Sequence, residues 1–77
     1  MTELFYIIAD ANCATARKAA LDAGVREKVS FRNLDYPEVK ADYDARGGTT
    51  LPALWDGGRL HQGLAAVMAE LARLRST

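Results

Sequence analysis

Cys13 is the residue whose type and position offer the clearest chemistry, and it is the only cysteine in the 77-residue chain. Asn12 before it is a good helix N-cap, so the thiol is expected in the first turn of a helix. The unpaired N–H groups and the positive dipole end of a helix start stabilise a thiolate, and Arg17 and Lys18 add positive charge nearby. We therefore predict a partly exposed thiol with a pKa below the usual value of about 8.5, although Asp10 would act in the opposite direction.

Two plainer roles for this segment stay open. Free cysteine is among the most buried residue types, so Cys13 could be a small core residue. The helix start could also bind an anion through the N–H groups of residues 14–16. If the thiol reacts, an external thiol must resolve any mixed disulfide, or two copies of the chain must join through Cys13. One cysteine and one histidine cannot build a conventional zinc site alone, so no metal is expected.

The composition, 49% hydrophobic and 26% charged, is that of a globular domain, and the length fits a single domain over residues 1–77. Ten basic and ten acidic side chains balance, so no overall field attracts nucleic acid or a membrane. No apolar run approaches the roughly 20 residues that span a bilayer, and the N-terminus lacks the basic start and apolar core of a signal peptide. We expect a cytoplasmic protein with neither nucleic acid nor membrane as a partner.

The pattern of apolar and turn-forming residues predicts alternating strands and helices. An alanine-rich helix ends at Gly24, Pro37 opens a short polar helix that Gly47 and Gly48 end, and residues 56–58 form a tight turn. The predicted strands cover residues 4–9, 29–34, 51–55 and 59–61, and the predicted helices cover residues 13–23, 37–46 and 63 onward. This order, β-α-β-α-β-β-α, predicts an α/β fold with a four-stranded mixed sheet and helices on both faces.

The other conspicuous side chains are interpreted as structural. Apolar residues recur at positions 64, 67, 68, 71 and 74 of the last helix, so this stripe, including Met68, is predicted to be core. Phe5, Phe31 and Trp55 are predicted to be core as well. His61, on the return strand of the hairpin, is predicted to be a solvated surface residue.

A cysteine at the start of the first helix, this order of elements and a Thr50-Leu51-Pro52 segment before a hairpin together resemble the glutaredoxin-like family, the smallest form of the thioredoxin fold. The resemblance spans nearly the whole chain. It implies that Cys13 is the catalytic nucleophile and that the bond before Pro52 is cis. It also implies that Thr50, Leu51 and Pro52 bind an extended substrate, often glutathione, and that Gly63 belongs to the same site.

The chain departs from the family pattern at chemically important positions. The second cysteine of the Cys-x-x-Cys motif is Ala16, so a dithiol cycle within one chain is impossible. The lysine usual three residues before the nucleophile is Asp10. The aspartate that holds the glutathione amino group aligns with Ala65 or Ala66.

Two further resemblances are local. Residues 12–19 look like the nucleophile segment of arsenate-reductase-like proteins, and residues 51–71 look like part of the N-terminal domain of glutathione transferases. The expected function is monothiol glutaredoxin-like thiol–disulfide exchange through Cys13, with glutathione or another external thiol resolving the mixed disulfide. No bound cofactor is expected, and the expected partner is glutathione or a disulfide-containing protein. The alternative is a non-catalytic thioredoxin-fold module that holds a peptide or partner at residues 50–52. A homodimer, including one joined through Cys13, is compatible with this chemistry.

Overall fold

The computed structural model describes residues 2–76, apart from the side chain of Arg26. Four strands and three α-helices follow one another in the predicted order, with a short 3₁₀ turn, Arg26–Lys28, before the second strand. Their bounds are β1 Thr2–Tyr6, α1 Ala11–Asp22, β2 Val29–Asn33, α2 Pro37–Ala45, β3 Ala53–Trp55, β4 Leu60–Gln62 and α3 Leu64–Arg75.

The sheet has the spatial strand order β2-β1-β3-β4. β1 pairs parallel with β2, so that Leu4 lies opposite Phe31, and antiparallel with β3, so that Leu4 also lies opposite Leu54. β3 and β4 form the predicted antiparallel hairpin, with Leu54 opposite His61. The prediction of an α/β fold with a four-stranded mixed sheet and three helices is confirmed.

Alternation along the central strands places two hydrophobic clusters on opposite faces of the sheet. Leu4 and Leu54 belong to the cluster that α1 and α3 cover, whereas Phe5 and Ala53 belong to the cluster that α2 covers. The first cluster also contains Ala16, Ala20, Val25, Val29, Val67 and Leu71, and the second contains Val39 and Tyr43. Phe31 and Trp55 are partly buried against these clusters.

The ends of several elements differ from the prediction. β1 ends at Tyr6, and Ile8, predicted to lie in this strand, is 56% exposed because no strand of the sheet pairs with it. α1 begins at Ala11 because Asp10, and not Asn12, is its N-cap. β3 is two residues shorter than predicted, and β4 is shifted by one residue from its predicted position. Only the paired residues of the hairpin keep strand geometry.

The apolar stripe of α3 is only partly buried. Val67 and Leu71 lie in the first cluster, but Met68 is 38% exposed, so its assignment to the core is wrong. Met68 instead lines a shallow groove of about 250 Å³ between α1 and α3, because it lies at the edge of the face that packs on the sheet. Within residues 2–76, no helix has the length and apolar character needed to cross a membrane.

Candidate functional site

Cys13 lies in the first turn of α1 with its side chain fully buried. Its exposure is 0%, and its backbone N–H donates a hydrogen bond to Asp10 Oδ2 at 2.8 Å. Asp10 is therefore the N-cap of α1, and Asn12, predicted for that role, is an exposed residue inside the helix. The prediction was wrong because the carboxylate of Asp10 reaches the amide of the third helical residue. The same carboxylate occupies the end of the helix at which an anion would bind.

The surroundings of the thiol favour its protonated form. Burial is the largest effect and raises the pKa of Cys13, and the hydrogen bond and negative charge of Asp10 act in the same direction. The Ile7 backbone amide, which hydrogen bonds to the sulfur, lowers the pKa, and Arg17 adds a weaker lowering effect. The net change is upward. The expectation of a partly exposed thiol with a lowered pKa is therefore wrong, because α1 turns its first turn towards the core and is capped by an acid.

The two basic side chains that follow the thiol have different surroundings. The Arg17 guanidinium carbon lies 4.9 Å from the centre of the Tyr6 ring, and Arg17 Nε is buried with no hydrogen-bond partner among the described residues. Lys18 is exposed and pairs with Asp22 at 2.7 Å. Of the two cations predicted to stabilise a thiolate, Arg17 lowers the pKa of Cys13, whereas Lys18 forms an ion pair within its own helix.

Residues 49–52, here called the cis-proline loop, are the last part of the connection from α2 to β3. The Leu51–Pro52 peptide bond is cis, in agreement with the resemblance, and Pro52 is less than 2% exposed. The Pro52 carbonyl accepts a hydrogen bond from the Gly63 N–H at 2.9 Å, which joins the loop to the start of α3. Gly63 has a φ of +89°, a conformation that favours glycine. Gly63, which the resemblance assigns to the substrate site, thus uses its N–H within the fold.

Gln62 of β4, which the sequence did not single out, holds the cis-proline loop in place. Its side-chain oxygen accepts from the N–H groups of Thr49 and Thr50 at 2.7 and 2.9 Å, and its nitrogen donates to the Gly47 carbonyl at 3.3 Å. Leu51 differs from its neighbours, because neither its N–H nor its C=O has a hydrogen-bond partner within the described part of the chain. The loop therefore combines backbone groups held by Gln62 with one residue, Leu51, whose backbone forms no hydrogen bond to the described residues.

A second group of polar side chains joins the β3–β4 turn to α3. His61 Nε2 lies 2.8 Å from Asp56 Oδ2 and 3.5 Å from Glu70 Oε2. Arg73 pairs with Glu70 through two contacts of 2.7 Å each. The hydrogen bond from His61, helped by two backbone amides of the turn, lowers the pKa of Asp56 to about 2, and the Arg73 hydrogen bonds lower the pKa of Glu70.

His61 is therefore not the solvated surface residue that was predicted. Its side chain is only 19% exposed, because it lies between the carboxylate of the turn and the helix. The residue that could have predicted a buried polar partner from the sequence is Glu70, an acid beside Leu71 on the buried stripe of the last helix. Glu70 is 6% exposed, and a carboxylate on a buried helix face requires a partner.

No protein-family model matches this chain, and no curated protein and no solved structure matches it either. The class of protein is therefore inferred from the fold and from the two sites described above. One is the cis-proline loop, and the other is the polar group around His61.

Proposed function

We propose that this chain is a thioredoxin-like domain of the glutaredoxin type that acts as a non-catalytic binding module. In this proposal the cis-proline loop holds an extended peptide of a partner protein. Three features support the proposal: the order β-α-β-α-β-β-α, the strand order β2-β1-β3-β4, and a cis proline directly before the hairpin.

The observation that carries the proposal is that, among residues 2–76, the N–H and C=O of Leu51 have no hydrogen-bond partner. An extended peptide binds to such a residue as an added strand, through its own N–H and C=O groups. Thr49 and Thr50 are already held by Gln62, so the loop is ordered before a partner arrives. Because the loop is ordered in advance, binding costs less conformational entropy, which favours affinity.

The surroundings of Cys13 argue against catalysis. A nucleophilic thiol needs access to its substrate and a lowered pKa, and the Cys13 thiol is buried with a raised pKa. Ala16, at the position of a resolving cysteine, is also fully buried. Cys13 then serves as a small packing residue at the start of α1.

The test starts from a random peptide library, from which the tightest binder is taken for NMR with the labelled domain. We expect the Leu51 amide to be protected from hydrogen exchange in the complex. Gln62→Met removes the side-chain oxygen that holds the loop and should weaken binding about tenfold. Gln62→Glu keeps an acceptor for both threonine amides and should bind within about threefold of the wild type.

A library that yields no binder, or a complex in which the Leu51 amide stays unprotected, would contradict the proposal. Cys13→Ser supplies the control for thiol chemistry, because it should bind the same peptide with unchanged affinity. Loss of peptide binding in a folded Cys13→Ser variant would mean that the thiol takes part in recognition.

A second function, glutathione-dependent disulfide exchange through Cys13, is favoured by the Ile7 amide and Arg17, both of which stabilise a thiolate. In that cycle the thiolate attacks the glutathionyl sulfur of a mixed disulfide and releases the partner thiol. A second glutathione thiolate then displaces Cys13 and leaves as glutathione disulfide. Reduction of a glutathionylated test disulfide that disappears in Cys13→Ser would establish this function, and an inactive wild type would exclude it.

A further inference from the structure

Three side chains of types that commonly bind metal ions converge where the β3–β4 hairpin meets α3. Asp56, His61 and Glu70 each present one ligand atom, and these atoms all lie within 4.8 Å of one another. His61 Nε2 lies 2.8 Å from Asp56 Oδ2 and 3.5 Å from Glu70 Oε2. A tetrahedral zinc ion separates its ligand atoms by about 3.3 Å, so small movements would bring the three atoms to bonding positions.

The two carboxylates are held so that each presents an oxygen to the histidine. Asp56 Oδ1 accepts from the backbone amides of Gly58 and Arg59 at 2.9 and 2.8 Å, which leaves Oδ2 towards His61. Glu70 projects from the buried side of α3 and is only 6% exposed. Because a turn, a strand and a helix fix these side chains, little order has to be gained when an ion binds.

The charge of the group also favours a cation. The group holds two carboxylates, those of Asp56 and Glu70, and one guanidinium, that of Arg73, beside the imidazole of His61. The Arg73 side chain is 60% exposed, so it can keep the hydrogen bond from Nε to Glu70 Oε1 and release the one from Nη2 to Oε2 when Oε2 turns to an ion. A metal ion bound to His61 Nε2 would take the place of the present contact between Nε2 and Asp56 Oδ2.

We propose that Asp56, His61 and Glu70 form a binding site for a divalent transition-metal ion of the Zn²⁺ type. One imidazole and two carboxylates suit such an ion, and three protein ligands leave one position for water. The ion would join the hairpin to α3. This site is independent of the cis-proline loop, so the outcome of the peptide experiment does not decide it.

The test is a titration of the full chain with Zn²⁺, followed by NMR of the imidazole nitrogens. Because His61 is the only histidine, its signals report this site alone. We expect the Nε2 resonance to shift at micromolar Zn²⁺ and to stay in place when Mg²⁺ is added at the same concentration, since Mg²⁺ prefers oxygen ligands. Competition with a chromophoric chelator supplies the dissociation constant.

Variants separate this site from other metal-binding groups. His61→Gln and Glu70→Gln should each weaken Zn²⁺ binding about tenfold or more, and Arg73→Gln should strengthen it by removing the competing cation. Cys13→Ser should leave the affinity unchanged, because the thiol takes no part in this site. An unshifted His61 signal, or a folded His61→Gln variant that binds Zn²⁺ as tightly as the wild type, would overturn the proposal. If Glu70→Gln fails to fold, the titrations of the wild type and of Arg73→Gln still test the proposed metal site.

Discussion

The reactivity of a cysteine at a helix start depends on the residue that caps the helix. A neutral cap leaves the helix dipole as the main local field, whereas an aspartate places a negative charge beside the thiol. Here the cap is Asp10, and its carboxylate binds the amide of Cys13 itself. The position of Cys13 in the first turn could be predicted from sequence, but its burial could not, because the face that α1 turns inward depends on contacts with the sheet and α3.

Asp10→Asn should therefore make the thiol more acidic without removing the cap. Asparagine caps a helix about as well as aspartate, so the Cys13 amide keeps an acceptor while the negative charge is lost. We expect the pKa of Cys13 to fall and its alkylation by iodoacetamide at mildly alkaline pH to become a few-fold faster, as measured by mass spectrometry. Asp22→Asn, at the other end of α1, is the matched control and should leave both quantities unchanged.

The raised pKa also sets the sign of the pH dependence of stability. The native thiol keeps its proton at a pH at which the unfolded chain has lost it, so the free energy of unfolding should fall as pH rises above about 8.5. Urea denaturation of the wild type and of Cys13→Ser across this range tests the claim. An identical pH course for the two proteins, or an Asp10→Asn variant with an unchanged alkylation profile, would contradict this account of the thiol.

At the scale of helices and strands, the predicted bounds were accurate where a particular residue type marks the end of the element. α2 begins at Pro37 and is followed by Gly47 with a φ of +83°, and both residues favour these positions by their own backbone geometry. The start of α1 was ambiguous, because Asp10 and Asn12 are both cap-type residues and only the folded chain shows which has extended backbone. No residue type marks the end of β1, because Ile8 is as apolar as the residues of the strand before it.

Gly48, which follows α2, tests how tightly this end of the helix is packed. A Cβ at Gly48 would lie 2.4 Å from ring atoms of Tyr43, a buried residue of the second cluster. Gly48→Ala should destabilise the protein by about 1–3 kcal/mol, because the ring would have to move within a packed core. Gly58→Ala is the matched control: its Cβ would have its nearest neighbour at 3.9 Å, and neither glycine has a positive φ.

Urea denaturation measures both glycine variants. We expect Gly58→Ala to lie within about 0.5 kcal/mol of the wild type. Equal losses in the two variants would show that the Tyr43 contact does not limit position 48.

At the scale of the whole molecule, the two faces of the sheet are held by different means. The face under α1 and α3 carries the larger apolar cluster, with the polar group around His61 at the hairpin, whereas the face under α2 combines aromatic rings with a charged network. Glu3 of β1 is 8% exposed and accepts hydrogen bonds from Arg32 of β2 and, at 2.8 Å, from Arg46 after α2. Arg46 also lies 4.6 Å from the Trp55 ring of β3. Sequence patterns could not indicate these pairs, because their members are 29 and 43 residues apart.

Glu3 should therefore contribute more to stability than any exposed acid with a single partner. Glu3→Gln keeps the shape of the side chain but leaves the two guanidinium groups without their shared anion, and we expect a loss of about 2 kcal/mol in the free energy of unfolding. Asp44→Asn breaks only the exposed pair with Lys40 and should cost no more than about 0.5 kcal/mol. The loss in Glu3→Gln should persist at high ionic strength, since buried pairs are screened far less than exposed ones. Urea denaturation at low and high salt distinguishes the two cases, and similar losses that both vanish in salt would show that the network acts as an ordinary surface ion pair.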